Sequence, residues 1–304
     1  MRLATILLVS ATLLPGCEVN LNSEGLTARD VKTFKVTGQA ELSLDTFDGA
    51  IELHSWDKNE IEVEIEKRAM EQSLLDEIKV DAQQQGDKIT ITVTGPASDR
   101  HGVPIGMHIS PTARLRVAVP RHININATSA DGSIRAEAIE GKIVLHTNDG
   151  SVSGTRLGGD LQIRSGDGSI RLDGITGKVD LETTDGSIGI EATPTVLHAR
   201  TGDGSIRVNI GADTTMAENW DVTTSDGTVT VTLPGLFNAE IDAETSDGAV
   251  RANHPLLTGD QRERRDGEDR SEQRERRRVL QSKMGDGGKT FRIRTGDGTI
   301  RIER

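Results

Sequence analysis

The sequence predicts an all-β chain, a single-chain β-solenoid (β-helix-like) with about 18 residues per coil, and three observations carry that reading. Asp-Gly recurs at Asp131-Gly132, Asp149-Gly150, Asp167-Gly168, Asp185-Gly186 and Asp203-Gly204, five copies at a constant step of 18 residues. Apolar and polar residues alternate between the copies with the period of a strand. Hydrophobic residues make up only 34% of the 304 residues and aromatics 2%, with no Tyr, so the core is thin and built from Val, Ile and Leu. A stack tolerates this, because it grows along one axis without thickening.

The chain begins Met1-Arg2, runs apolar from Leu3 to Leu14 and breaks at Pro15-Gly16-Cys17. A charged start and about a dozen apolar residues read as a secretory signal, too short to cross a bilayer as a helix. Leu14-Pro15-Gly16-Cys17 resembles the lipobox of bacterial lipoproteins, whose cysteine is lipidated and becomes the first residue of the mature chain. That resemblance implies a signal peptide over 1–16, with lipidated Cys17 and a polar tether over 17–30. An ordinary secretory signal with an incidental cysteine is the alternative. Cys17 is the only cysteine, so lipidation would leave no thiol for a disulfide or a metal. Glu18 stands where an Asp would mark inner-membrane retention, which implies the outer membrane as destination.

Residues 31–120 read as an imperfect N-terminal β part. Phe34, Val36, Leu42 and Leu44 mark inward positions, and Ile51 and Leu53 follow Asp48-Gly49 as in the later repeats. Ile61, Val63 and Ile65, interleaved with Glu62 and Glu64, form a half-buried strand with an acidic face. Ile89, Ile91 and Val93 form another. The stretch 69–85 suits a helix presenting Leu74, Leu75 and Ile78, or a strand over 78–82. Gly95 to Pro111 is a loop, and Leu115, Val117 and Val119 resume alternation before Pro120 ends the ladder.

Residues 121–258 are the regular Asp-Gly β repeats. In one unit Ile170 and Leu172 point inward, Gly174 to Gly177 turns the chain, and Val179, Leu181 and Thr183 point inward again. Neither short strand can bury its face alone. If each unit is one coil, like residues stack in parallel ladders at about 4.8 Å. If each Asp-Gly is a two-residue hairpin turn, the chain is instead an antiparallel β-meander or sandwich, the alternative fold. The constant step favours the coil, since a meander needs no fixed length. Arg135, Arg171 and Arg207 alternate with Ser153 and Gly189, which places arginines about 9.6 Å apart on stacked coils and avoids adjacent like charges. The beat loosens at Asp226-Gly227 and Asp247-Gly248. Residues 259–288, with the run Gln261 to Arg278, are so rich in mixed charge that they read as a disordered or helical insert. Residues 289–304 return to the repeat with Phe291, Ile293, Ile300 and Ile302.

Chemistry is sparse. A net charge of -12 disfavours nucleic acid, whose phosphates need a basic face. Stacked Asp131, Asp149, Asp167, Asp185 and Asp203 raise the question of Ca²⁺, but one carboxylate per turn is poor coordination. The plainer reading makes these five Asp-Gly pairs structural, Asp accepting turn hydrogen bonds and Gly taking positive φ. His101 and His108 share a loop without metal-ligand spacing, and no nucleophile elbow or phosphate loop appears, so no metal, cofactor or catalytic residue is assigned. Arg164, Arg171, Arg200 and Arg207 could serve a solenoid acting on acidic polysaccharide, although aromatics to stack on sugars are nearly lacking. Trp56 and Trp220 read as packing residues. The cluster from Arg274 to Arg278 could meet an acidic surface.

Asp48-Gly49-Ala50-Ile51-Glu52-Leu53, the acidic strand after Trp56, the strand ending Val119-Pro120 and the serial Thr-x-Asp-Gly-Ser-Ile units resemble the DUF4097 β-strand repeat family of adhesin-like bacterial proteins. The resemblance spans about residues 31–304 apart from the insert. It implies an extracytoplasmic β-solenoid without established catalytic residues, in some members linked to envelope stress. The leading expectation is a non-catalytic lipoprotein anchored to the outer membrane through Cys17, binding or scaffolding an envelope protein or glycan. The competing expectation is a carbohydrate-active enzyme, which a cleft gathering two carboxylates and an arginine would favour.

Overall fold

The computed structural model describes residues 19–22, 25–96, 110–255, 257, 260–265 and 276–304. The lipobox with Cys17, the loop histidines His101 and His108, and Arg274 at the head of the arginine cluster lie outside them. The N-terminal part forms β1 (Val19–Asn22), β2 (Gly25–Lys35), β3 (Ala40–Thr46), β4 (Ile51–Trp56), β5 (Glu60–Ala69), helix α1 (Gln72–Glu77), β6 (Lys79–Gln85), β7 (Lys88–Thr94) and β8 (Thr112–Pro120). The repeats give β9 (Ile123–Ser129), β10 (Ile134–Glu137), β11 (Glu140–Thr147), β12 (Val152–Thr155), β13 (Gly158–Ser165), β14 (Ile170–Thr183), β15 (Ile188–Asp203), β16 (Ile206–Ile210), β17 (Trp220–Asp226), β18 (Val229–Thr232) and β19 (Ala239–Ala252). Then come β20 (Asp260–Arg265), β21 (Arg276–Met284) and β22 (Thr290–Glu303). The stretch 69–85 thus holds a short helix and then a strand.

The repeats coil. Ile134 pairs in parallel with Val152, Val152 with Ile170, and Ile170 with Ile188, each a step of 18 residues, which an antiparallel meander cannot produce. One parallel ladder carries the strands that follow Asp-Gly, and a second carries those that precede it. Inward residues of both ladders, Ile170, Leu172, Val179 and Leu181 in one coil, enter one continuous aliphatic core. Alternation along each strand therefore buries half the side chains and leaves the rest in water.

Chain order and stacking order part company at both ends. The β3–β4 coil lies between β7–β8 and β9–β10, so the chain's first coil is not the outermost. At the other end β22 lies between β17–β18 and β19. Each outer coil is closed by antiparallel strands. β6 covers β7 and β5 covers β8, while β2 pairs with β5 and β1 with β2. β21 covers β19 and β20 covers β21.

The charged insert is therefore corrected. Its described parts are two strands of an antiparallel cap, and the buried Leu280 and Met284 close the core beneath it. Two apolar residues at strand spacing suffice, because a cap needs only one buried face. The last repeat in the sequence lies one coil inside the stack.

Candidate functional site

Ser129, Thr147, Ser165 and Thr183 donate their hydroxyls to the carbonyls of Gly49, Gly132, Gly150 and Gly168 on the neighbouring coil, at 2.9–3.0 Å. Thr201, Thr224, Thr295 and Thr245 continue the column to Gly186, Gly204, Gly227 and Gly298 at 2.8–3.1 Å. The same hydroxyls accept from the N–H of Gly132, Gly150 and Gly168. Turn hydrogen bonding thus falls to the Ser or Thr three residues before the glycine, and the expectation that Asp accepts those bonds is corrected. The role expected for glycine changes as well. A Cβ at Gly168 would sit 2.0 Å from the Gly150 carbonyl oxygen, so close stacking of coils, rather than positive φ, excludes a side chain there.

The aspartates are left outside. Asp131, Asp149, Asp167, Asp185 and Asp203 are exposed, and the column continues through Asp226, Asp297 and Asp247 in strand register. Asp48 begins the column. Burial, and then the Asp131 charge one coil away, push its carboxyl above the ordinary range, against a lowering hydrogen bond from the Gly49 backbone. No group of three or more His, Cys, Asp or Glu among the described residues is placed to hold a metal ion.

The four repeat arginines divide between ladders. Arg171 and Arg207 alternate with Gly189 and then Thr230 and Arg301 on the post-turn ladder, so the two-coil spacing runs through the displaced β22 and ends where Arg301 meets Arg251. Arg164 and Arg200 flank Glu182 on the other ladder, Arg164 lying 3.5 Å from it. There Asp180, His198 and Asp221 stand on successive coils beside Glu182 and Arg200, lining an open depression of about 230 Å³. Trp220 is buried at 5.3 Å from Phe291 and 5.7 Å from Phe237, whereas Trp56 donates to the Glu60 carbonyl under the Lys58 ammonium.

A larger cavity forms where the beat loosens. Five residues separate Ala192 from His198, but ten separate their register partners Ile210 and Asp221. The extra chain brings Thr214, Thr215 and Met216 to the corner. Next to it the connection 233–238 must pass over the coil that β22 fills, and it carries Leu236, 88% exposed, and Phe237. The turn from β21 to β22 adds Asp286 and Lys289. Together the three connections line an open cavity of about 770 Å³, with Phe237 of the Trp220–Phe237–Phe291 cluster in its wall. Loops lengthened on one face of a regular stack are where binding surfaces arise. The sequence signalled this place only as a lengthened Asp-Gly step, without saying that the loops converge.

The sequence matches the Toastrack DUF4097 family over residues 32–303. A search of curated proteins returns no significant match. Among solved structures, a putative adhesin from Bacteroides fragilis is 11% identical, with a TM-score of 0.40, over 90% of this chain and 96% of that one. A putative adhesin from Parabacteroides merdae is 8% identical, with a TM-score of 0.42, over 91% and 96%. A putative cell adhesion protein from Clostridium sporogenes is 14% identical, with a TM-score of 0.28, over 91% and 99%.

Proposed function

The chain belongs to the Toastrack DUF4097 family, and from that premise we propose that it is a non-catalytic binding protein of the cell envelope, held at the outer membrane by a lipid on Cys17. The lipobox-like Leu14-Pro15-Gly16-Cys17 supports the anchor. The observation that supports binding is the corner cavity, where Leu236 stands exposed among Met216, Thr214, Asn238 and Lys289 on otherwise regular coils. An apolar anchor inside a polar rim is the pattern of a recognition surface. Its partner is an envelope protein or glycan. Titrating the purified chain against isolated outer-membrane vesicles and peptidoglycan tests the reading. A Leu236→Asp variant should weaken the stronger interaction about tenfold or more at unchanged melting temperature, as loss of an anchor does. Unchanged binding rejects the corner as the surface.

A second reading has its own observation. Asp180, Glu182 and Asp221 share the open depression with Arg200 and His198, the grouping that a polysaccharide-cleaving solenoid needs. Release of reducing ends from acidic polysaccharides, abolished by Asp180→Asn or Glu182→Gln, would establish that reading in place of the first.

A further inference from the structure

We infer that β22 is a donor strand, and that the slot it fills in one copy of the chain can be filled by β22 of a second copy, joining the copies by strand exchange. The inference stands apart from the proposed binding function, since it rests on stacking order.

Both walls of the slot are complete before β22 is reached in the sequence. β17 and β18 form one, β19 the other, and β22 alone supplies the coil between them. Without it two strand edges would face each other across one missing coil, each presenting unpaired N–H and C=O groups.

Recognition within the slot is specific. Thr295 donates to Gly227 O at 2.9 Å, and Thr245 donates to Gly298 O at 3.1 Å, so the hydroxyl column runs unbroken through the inserted coil. The Gly227 N–H donates to Asp297 O, the Leu233 N–H to Glu303 O and the Asn253 N–H to Ile302 O. Arg294 reaches Asp242 at 2.7 Å and Glu244 at 3.3 Å. Phe291, Ile293, Ile300 and Ile302 are fully buried between the walls. Each contact is the same whether the strand comes from its own chain or from another.

The tie to its own chain is the turn between the paired β21 and β22. Between Met284 and Thr290 lie Gly285, Gly287 and Gly288 at φ of 60°, 77° and 122°, and this turn borders the corner cavity. Glycines in the left-handed region give a hinge that can re-aim the strand without strain. At its head β22 is held as β3 is, by a paired strand, since β21 pairs with β19 as β2 pairs with β5; the other displaced coil is held further because β4 leads on into β5. Cis and trans filling therefore differ mainly by the effective concentration that the linker imposes, about millimolar for a short flexible link.

Disulfide trapping in the full chain tests this. Thr232 and Glu303 are register partners on β18 and β22, about 4.8 Å apart as neighbouring strands and within disulfide reach. In a Cys17→Ser background, Thr232→Cys and Glu303→Cys are made separately and together. Strand exchange predicts a covalent dimer when the two single variants are mixed and oxidised, absent from either alone, with a yield that rises with chain concentration. The doubly substituted chain should close an internal disulfide when dilute. If it closes while the mixture gives no covalent dimer at any concentration, the inference is overturned. Failure of the doubly substituted chain to close overturns it too, since β22 would not then lie beside β18.

Discussion

Coils 130–208 and coils 209–304 use the same corner chemistry but obey different rules of connection. In the first region each coil stacks on the one before it in sequence, the step is fixed, and the connections carry no surplus chain. In the second, β22 slips beneath β19, two connections lengthen, and a cavity opens at their corner. Stacking order is thus set by register chemistry rather than by chain order. The hydroxyl-to-glycine column and the aspartate column both continue across the displaced coil. Regularity gives the scaffold, and departure from it gives shape to a surface.

The largest expected effect tests whether the displaced coil is as integral as a middle one. Phe291→Ala removes a buried ring packed edge-on to Trp220, and should cost about 3–5 kcal/mol in urea unfolding. Leu181→Ala in the middle should cost about 2–5 kcal/mol. A negligible loss at Phe291 would mean that β22 only lies against the stack.

Glycine substitutions sharpen the account of the corners. Gly168→Ala must force two backbones apart, because its Cβ would lie 2.0 Å from the Gly150 oxygen, and should cost about 3 kcal/mol. Gly189→Ala meets nothing within 4 Å and should be neutral or stabilising by up to about 1 kcal/mol. Equal effects would show that glycine is needed for something other than space. Thr183→Val should cost about 1–3 kcal/mol, since the Gly168 carbonyl loses its hydroxyl donor while that of Gly166 keeps the Thr184 N–H, and Thr183→Ser should retain most of the stability.

The smallest effect is a pH dependence at the first corner. Asp48 has an ordinary value of 3.8 and is raised in the folded protein by burial and by Asp131. The folded state then holds its proton more tightly than the unfolded state, so stability is lost as pH rises through the window above 3.8. Asp48→Asn should therefore be more stable than the parent near neutral pH, and the gain should vanish as pH falls below that window. A gain that persists in acid would exclude ionisation as its cause.

The middle coils were legible because their step, alternation and inward residues are local. Ile170, Leu172, Val179 and Leu181 can be placed from spacing alone. The displaced coils were not, because Asp247-Gly248 and Asp297-Gly298 carry the same motif, and nothing local says which stacks on Asp226-Gly227. The cap was hidden by composition: only its inward residues, Leu280 and Met284, need be apolar, and they are few among many charges. At the corners, Asp-Gly drew attention to the aspartate, whereas the hydroxyl of Thr183 and its equivalents makes the bonds. The corner cavity needed three connections far apart in sequence, and spacing alone does not bring them together.

Paired cysteines read the stacking order at the displaced coil. Thr230 pairs with Arg301, and Arg301 in turn with Arg251, so Thr230 lies one coil from Arg301 and two from Arg251. In a Cys17→Ser background, Thr230→Cys with Arg301→Cys should form a disulfide on mild oxidation of the folded chain. Thr230→Cys with Arg251→Cys should stay reduced, at about 9.6 Å. The reverse pattern, with closure to position 251 and none to 301, is what stacking in chain order requires, and it would contradict the account.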